Sequence, residues 1–136
     1  MVRLCHHSRV DSDTRTAIWN RAAMAGGGAA PGPGDAALST VLSFHSLVMN
    51  GGLDHALDML TPDDLRAAVD GYRYLGMDSV AIAEVVRGAT AALSDEDDDL
   101  LDELGARYDD LASDETIDHR FAALTTLRPD DFAPTT

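Results

Sequence analysis

Apolar residues recur at intervals of three and four positions along most of this chain, which is the spacing of helices that bury one face. No segment alternates apolar and polar residues with the period of two that an amphipathic strand requires. The pattern therefore predicts an all-α fold, a single compact bundle of about six or seven helices. The residues expected in its core lie on these stripes and include Trp19, Leu42, Val48, Val69, Tyr72, Val85 and Leu104.

The least polar long run, residues 41–60, has the sequence VLSFHSLVMNGGLDHALDML. Glycine reaches left-handed backbone conformations without a steric penalty, and asparagine tolerates them better than most residues. Asn50-Gly51-Gly52 is therefore predicted to end one helix and start another, as a corner within the core. His45 lies on the inward stripe of the first of these helices, where a buried histidine with a satisfied ring nitrogen is favoured over a ligand.

Capping residues predict where the helices start, because a side-chain oxygen at the N-cap accepts a hydrogen bond from an unpaired backbone N–H. Thr61 before Pro62 is the strongest of these signals, since proline suits the first helical position. Ser94 is expected to open an acidic helix that runs to about Ala112. The other predicted starts are Asp13, Asp35, Asp78 or Ser79, and Asp114, and the last helix is expected to end at Arg128-Pro129.

The length of 136 residues is that of one domain. We expect a loose tail over residues 1–12, a single helical domain over residues 13–128 and a second tail over residues 129–136. The Gly/Pro-rich segment 25–34 is interpreted as a flexible linker inside the domain. It lacks the Gly-Lys-Ser/Thr ending of a phosphate-binding loop, so it gives no support for nucleotide binding.

The charge of the chain is far from balanced, since 24 acidic residues accompany 10 basic ones and the formal net charge is −14. All the basic residues are arginine, and aspartate far outnumbers glutamate. Phosphates would be repelled, so direct binding of nucleic acid is disfavoured, whereas a basic protein partner is favoured. A GC-rich genome or a high-salt cytoplasm would give the same composition without any binding role.

Cysteine usage and hydropathy bear on the cellular compartment. Cys5 is the only cysteine, so no internal disulfide is possible, which fits a reducing cytosol. No apolar run approaches the roughly 20 residues of a membrane span, and residues 1–10 lack the apolar core of a signal peptide. The sequence predicts a cytoplasmic protein that makes no use of a membrane.

The sequence contains no catalytic or metal-binding motif that meets its full pattern. An EF-hand loop starting at Asp95 fails, because Leu100 stands where glycine is required and Ala106 where the bidentate glutamate is required. His6-His7 has no further ligands nearby in the sequence, and no nucleophile–base motif occurs. We therefore expect a protein that is not an enzyme and has no metal and no cofactor.

The acids are concentrated between Asp95 and Asp118, where 12 of them accompany one basic residue, Arg107. On a helical projection of the predicted acidic helix, five of them point away from its apolar stripe and two, Glu103 and Asp110, lie on the flanks; the five are Asp95, Asp98, Asp99, Asp102 and Asp109. Like charges at helical spacing destabilise a helix by about 0.2–0.5 kcal/mol per pair. Their retention indicates either a solvated surface or a partner site. The candidate partner-binding residues are Asp95, Asp98, Asp99, Asp102, Glu103, Asp109 and Asp110.

Three stretches of the chain resemble motifs of one protein family: Asn50-Gly51-Gly52, Gly71-Tyr72-x-x-Leu75-Gly76 and Leu101-Asp102-Glu103-Leu104-x-x-Arg107-Tyr108. They are similar to the Asn-Gly-Gly corner, a helix end and an acidic helix of a DNA-mimic protein-like family of small acidic all-helical bacterial proteins, most of unknown function. The resemblance spans about Ile18 to Ala112. The family has aromatic residues and a glutamine after the corner, where this chain has Leu53, Ala56, Leu57 and His55. The described member is a DNA mimic that binds a transcription factor, so the resemblance implies an all-α fold and that role.

Three functions fit these observations. The leading interpretation is a non-enzymatic acidic binding protein, a DNA mimic that occupies the basic surface of a DNA-binding regulator. An immunity or antitoxin-like inhibitor of a basic toxin would use the same acidic surface. The third interpretation is an acidic domain whose charge reflects only a halophilic or GC-rich background. Uniform acidity would favour this last interpretation, and one continuous acidic face would favour a partner.

Overall fold

The computed structural model describes residues 11–135, which fold into six α-helices and a final 3-10 turn. In chain order they are α1 (Ser12–Ala25), α2 (Pro33–Met59), α3 (Pro62–Tyr74), α4 (Ser79–Ser94), α5 (Asp98–Leu111), α6 (Asp114–Leu127) and the turn Pro129–Asp131. The described range contains no strand, so the predicted all-α bundle is confirmed. None of these helices has the length and apolar character needed to cross a membrane. Cys5 and His6-His7 lie outside the described residues.

Helix α2 is the centre of the bundle, and α1, α3, α4 and α5 all pack against it. Its inward face is buried from solvent, with Leu38, Val41 and Phe44 at most 1% exposed. Burial of such apolar surface is the main force that stabilises a fold of this size. Of the predicted core residues, Leu42, Val48, Tyr72 and Val85 are buried, while Trp19, Val69 and Leu104 are half-buried around them.

Helix α2 bends at the Asn-Gly-Gly sequence. Gly52 has φ 86° and ψ 179°, a backbone conformation that essentially only glycine adopts. Helical structure continues on both sides of this residue, so the predicted corner is a kink within one long element. The positive φ agrees with the sequence analysis, whereas the ψ of an extended residue differs from the left-handed helical turn expected there.

Two predicted helix starts are found where the sequence placed them. Thr61 caps α3 by accepting a hydrogen bond from the N–H of Asp64 at 3.1 Å, and the Asp64 carboxylate accepts in return from the N–H of Thr61 at 3.0 Å. Asp78 caps α4 by accepting from the N–H of Ala81 at 3.0 Å. Of the two starts that the sequence offered for α4, Asp78 is therefore the cap and Ser79 is the first helical residue.

Two other predicted caps are wrong by two or three residues. Asp11, and not Asp13, caps α1, accepting from the N–H of Thr14 at 2.7 Å. Ser94 is the last residue of α4, and Asp97 caps α5 in its place. In both regions several short polar side chains are adjacent, and any of them could serve as an N-cap. The choice among them depends on where the preceding chain leaves the bundle.

Asp35 lies inside α2 and not at its N-cap. The helix begins at Pro33, whose fixed φ suits the first helical position. The Asp35 side chain is completely buried. Its Oδ2 accepts from the N–H of Gly32 at 2.9 Å and from the N–H of Ala133 at 2.7 Å, and its Oδ1 accepts from the Arg21 guanidinium at 2.7 Å. Asp35 therefore ties α1, the start of α2 and the C-terminal segment together.

The Gly/Pro-rich connection is shorter than the predicted linker 25–34, because α1 ends at Ala25 and α2 begins at Pro33. Gly26 has φ 62° at the C-cap of α1, and its N–H bonds to the Arg21 carbonyl oxygen. Glycine is the residue that ends a helix in this way at least cost. The connection turns the chain back so that α2 packs on α1.

Residues 129–135 contact the bundle, although the sequence placed them in a tail. Phe132 is only 7% exposed, and its ring lies 5.8 Å from that of Phe121 on α6. It packs over Gly34, where a Cβ atom would come within 2.7 Å of the ring. A single anchoring phenylalanine has no periodicity, so the hydrophobic pattern could not reveal it.

Candidate functional site: an acidic helical face

Helix α5 carries most of the candidate partner-binding residues. Six of them lie on α5 itself, and the seventh, Asp95, lies at the C-cap of α4. All seven side chains are exposed. We call this set the acidic face: Asp95, Asp98, Asp99, Asp102, Glu103, Asp109 and Asp110.

The apolar side of α5 packs against the bundle and leaves the acids in solvent. With 3.6 residues per turn, Asp98, Asp102 and Asp109 lie within about 40° of one another around the helix axis. Leu104 points the other way and contacts α4 at Gly88, where a Cβ atom would lie 3.0 Å from Leu104 Cδ1. Tyr108 is the one residue of α5 that is fully buried.

A tight turn leads from α4 into the acidic face. The N–H of Asp97 bonds to the carbonyl oxygen of Ala92 at 2.8 Å, and that of Glu96 to Leu93 at 3.3 Å. This pattern closes a helix around a residue with positive φ. That residue is Glu96, with φ 54°, a conformation that favours glycine. Asp97 then accepts from the N–H of Leu100 at 3.1 Å and starts α5.

Replacing Glu96 by glycine is expected to raise the free energy of unfolding by about 1 kcal/mol. The left-handed conformation costs a residue with a Cβ atom about 1–2 kcal/mol. The greater conformational freedom of glycine in the unfolded chain offsets part of this gain. Urea denaturation measures the change. Glu103→Gly, inside α5, removes the same charge and is expected to lower stability by about 1 kcal/mol. Equal effects of the two substitutions would contradict the assignment of strain to Glu96.

A chain of four hydrogen-bonded side chains holds α5 in place. The Tyr108 hydroxyl bonds to the Tyr72 hydroxyl of α3 and, at 2.8 Å, to Nδ1 of His45 on α2. His45 Nε2 lies 2.5 Å from Oδ1 of Asp114, the first residue of α6. Each of the four residues comes from a different helix. We call these four side chains the tyrosine–histidine network, and it fixes how four helices meet.

A neutral imidazole at His45 satisfies every polar hydrogen of this network. The Asp114 carboxylate can only accept, so the His45 Nε2–H donates to it. The other ring nitrogen, Nδ1, accepts from the Tyr108 hydroxyl, and the Tyr108 oxygen accepts in turn from the Tyr72 hydroxyl. Burial raises the pKa of both the Tyr108 and the Tyr72 hydroxyl above the ordinary value, because a buried tyrosinate would lose its hydration. His45 is thus the buried, hydrogen-bonded histidine that its place on the apolar stripe indicated.

The acidic face has seven acids, and one arginine, Arg107, lies among them on α5. Among the ion pairs closer than 4.0 Å within residues 11–135, none involves its seven carboxylates. By contrast, Asp70 on α3 pairs with Arg73 at 3.1 Å. Arg107, the basic residue of α5, lies 3.9 Å from Glu84 of α4. The acidic face is therefore a local concentration of negative charge and not a salt-bridged surface.

The structure brings two further acids next to this face. Asp54 and Asp58, on the part of α2 that follows the kink, line an open cavity of about 570 Å³ together with Leu93 of α4. Leu93 lies two residues before Asp95, so the cavity borders the acidic face. The kink at Gly52 directs the end of α2 to this place, and no local sequence pattern signals the proximity.

The chemistry available at the acidic face is that of solvated carboxylates. The described residues hold no group of three or more His, Cys, Asp or Glu side chains that could bind a metal ion. Carboxylates in water accept hydrogen bonds from guanidinium and ammonium groups and attract basic surfaces over about a Debye length. The geometry is therefore suited to charge-complementary binding.

Comparison with known proteins places the chain in a family. A model of the DMP19-like protein family matches residues 32–132, well over half of the chain. No curated protein and no solved structure matches the sequence. The matched range contains the whole acidic face and the whole tyrosine–histidine network. The chain belongs to the DMP19-like protein family.

Proposed function

We propose that this protein is a non-enzymatic, cytoplasmic binding protein whose acidic face occupies the DNA-binding surface of a basic regulator. One observation carries the proposal: seven carboxylates are exposed together, with no ion pair to them in the described part of the chain. A partner that supplies arginine or lysine side chains would relieve their mutual repulsion. This gain is available only in the complex, so it favours association.

The spacing of the acids supports imitation of a phosphate row. Asp98, Asp102 and Asp109 follow one side of α5, with axial separations of about 6 Å and about 10.5 Å at 1.5 Å per residue. One DNA strand places a phosphate roughly every 3.4 Å along its axis. The three carboxylates would then occupy the positions of about every second or third phosphate of the strand. Asp99 and Glu103 lie on the adjacent side of the helix.

Family membership supports the same role, since the family that the three sequence motifs resemble has a described member that is a DNA mimic and binds a transcription factor. This chain departs from the family motif just after the corner. Leu53 and Ala56 at those positions are buried, so their departure changes the packing of the core. The exposed carboxylates that would contact a partner are unaffected by it.

The test removes four charges from the acidic face by changing Asp98, Asp99, Asp102 and Asp109 to asparagine. Binding partners are captured from the native lysate at low salt, and their affinity for the wild-type and altered proteins is compared. We expect affinity to fall by about fourfold to several hundredfold, because four charge pairs of about 0.2–1 kcal/mol each are removed. Binding of the wild type is expected to weaken steeply as salt is added.

A matched control removes the same charge elsewhere, at Asp13, Asp63, Asp70 and Asp130. Two of these residues lie in first helical turns, as do Asp98 and Asp99, so the loss of helix-dipole stabilisation is similar in both variants. Both are expected to melt close to the wild type. Equal weakening of binding by the two variants would show that total charge is responsible, and the proposal would fail.

The captured partner distinguishes the DNA mimic from the two other interpretations. A DNA-binding partner should lose duplex DNA when this protein is added. A basic partner that binds no DNA, and whose toxicity is neutralised, would instead identify an immunity or antitoxin-like inhibitor. Failure to recover any basic partner at low salt would favour the third interpretation, in which the charge reflects only a halophilic or GC-rich background.

A further inference from the structure

An apolar groove lies between α3 and α4 and involves none of the acidic face. Its floor consists of half-buried side chains, Leu65 and Val69 from α3 and Ala83 and Val86 from α4, and its volume is about 310 Å³. Val80, three residues before Ala83 on α4, is 69% exposed. Two neighbouring helices with an open apolar seam offer the surface against which a third helix packs. Such surfaces on soluble proteins are often interaction sites.

Arginines from both helices stand at the walls of this groove. Arg66 of α3 and Arg87 of α4 line it. Arg66 pairs with Asp63, but both side chains are largely exposed, and such pairs contribute little. Within the described part of the chain, no ion pair closer than 4.0 Å includes Arg87. Asp70 also lines the groove, and its pair with Arg73, at 3.1 Å, is about as exposed as the pair of Arg66 with Asp63. Two arginines against one carboxylate leave the lining with a net charge of +1 above an apolar floor.

We propose that this groove binds an amphipathic helix of a partner protein, with an apolar stripe flanked by aspartate or glutamate. The stripe covers the floor, and the flanking carboxylates pair with Arg66 and Arg87. Charge complementarity selects this occupant, because a basic helix would bring like charges together at both walls. The proposal goes beyond the DNA-mimic function, whose partner is basic and contacts a different surface.

A labelled peptide of about 18 residues, five helical turns, tests the proposal by fluorescence anisotropy against the full chain. The peptide carries leucines at helical spacing flanked by glutamates. A second peptide replaces the leucines by serines, and both are titrated at 0.15 M salt to limit non-specific repulsion. We expect the leucine peptide to bind saturably and the serine peptide to bind at least tenfold more weakly. No binding of the leucine peptide at millimolar concentration would overturn the proposal.

Variants at exposed positions localise the site. Arg87→Glu is expected to weaken binding of the leucine peptide about tenfold, since an attractive contact becomes repulsive. Val80→Asp is expected to weaken the same binding several-fold. Arg120→Glu, an equal charge change at an exposed residue of α6, should leave affinity within twofold. Equal losses for Arg87→Glu and Arg120→Glu would overturn the proposal. So would a wild-type dimer in sedimentation that Val80→Asp makes monomeric, because a second copy would then cover the groove.

Discussion

Replacing Asp35 by alanine is expected to lower the free energy of unfolding by about 3–5 kcal/mol, as removal of one partner from a buried ion pair does. The carboxylate is completely buried and accepts hydrogen bonds from Arg21, Gly32 and Ala133. Its loss leaves two backbone N–H groups without their acceptor, at a cost of about 1–3 kcal/mol each. It also removes the counter-charge of the Arg21 guanidinium, which keeps only the carbonyl oxygens of Ala133 and Pro134 as acceptors. Since whole domains are stable by only about 5–15 kcal/mol, urea denaturation should show a large shift of the midpoint.

Two controls separate the buried ion pair from general effects of the substitution. Asp13→Ala removes an exposed acid from the first turn of α1 and is expected to cost less than about 1 kcal/mol. The double variant Arg21→Met/Asp35→Leu removes both charges and should recover part of the stability that Asp35→Ala loses. A double variant less stable than Asp35→Ala would contradict the view that the unpaired charge dominates the cost.

The second large effect is expected at high pH, where the protein should unfold as its tyrosines ionise. Burial raises the pKa of Tyr108 and of Tyr72. Partial burial and the neighbouring Asp131 carboxylate raise the pKa of Tyr74 to about 12. Above about pH 10 the unfolded chain loses these protons while the folded chain keeps them. The free energy of unfolding is unaffected below that pH and then falls by about 1.4 kcal/mol per pH unit for each tyrosine.

This effect is measured by following tyrosinate absorbance and helical circular dichroism together from about pH 9 to about pH 12, the range in which tyrosine titrates. The chain contains three tyrosines and no lysine, so little else titrates in the same window. The two signals should change together. Tyr108→Phe should reduce the pH slope by roughly one third while also lowering stability at neutral pH by about 1–3 kcal/mol. Tyrosinate absorbance that rises near pH 10 with the helices intact would contradict the burial of these hydroxyls.

The positions of helices and core residues were readable from the sequence where local chemistry is unambiguous. Thr61 caps α3 as predicted, and Tyr72 and Val85 lie in the core on the apolar sides of α3 and α4. The start of α5 was not readable. Five consecutive acids follow Ser94, and four of them are aspartates that can act as a cap. Asp97 takes this place because it directly follows the positive-φ residue Glu96, which ends α4.

The candidate site also has features that the sequence predicted and features that it did not. The exposure of the six acids on α5 followed from helical periodicity, because charged residues opposite an apolar stripe face water. The proximity of Asp54 and Asp58 did not, since it depends on the direction that α2 takes after Gly52. The partners of His45 were equally hidden, because Tyr108 and Asp114 are more than sixty residues away in sequence.

The sequence by itself determined the all-α class, most of the helices and the acidic side of α5, since these depend on residue spacing within one or two helical turns. Only the tertiary structure decided the buried Arg21–Asp35 pair, the tyrosine–histidine network and the contact of Phe132 with the bundle. These interactions join residues from different elements, and each depends on one or two side chains without periodicity. Their stabilisation arises from excluding water around groups that only the completed fold brings together.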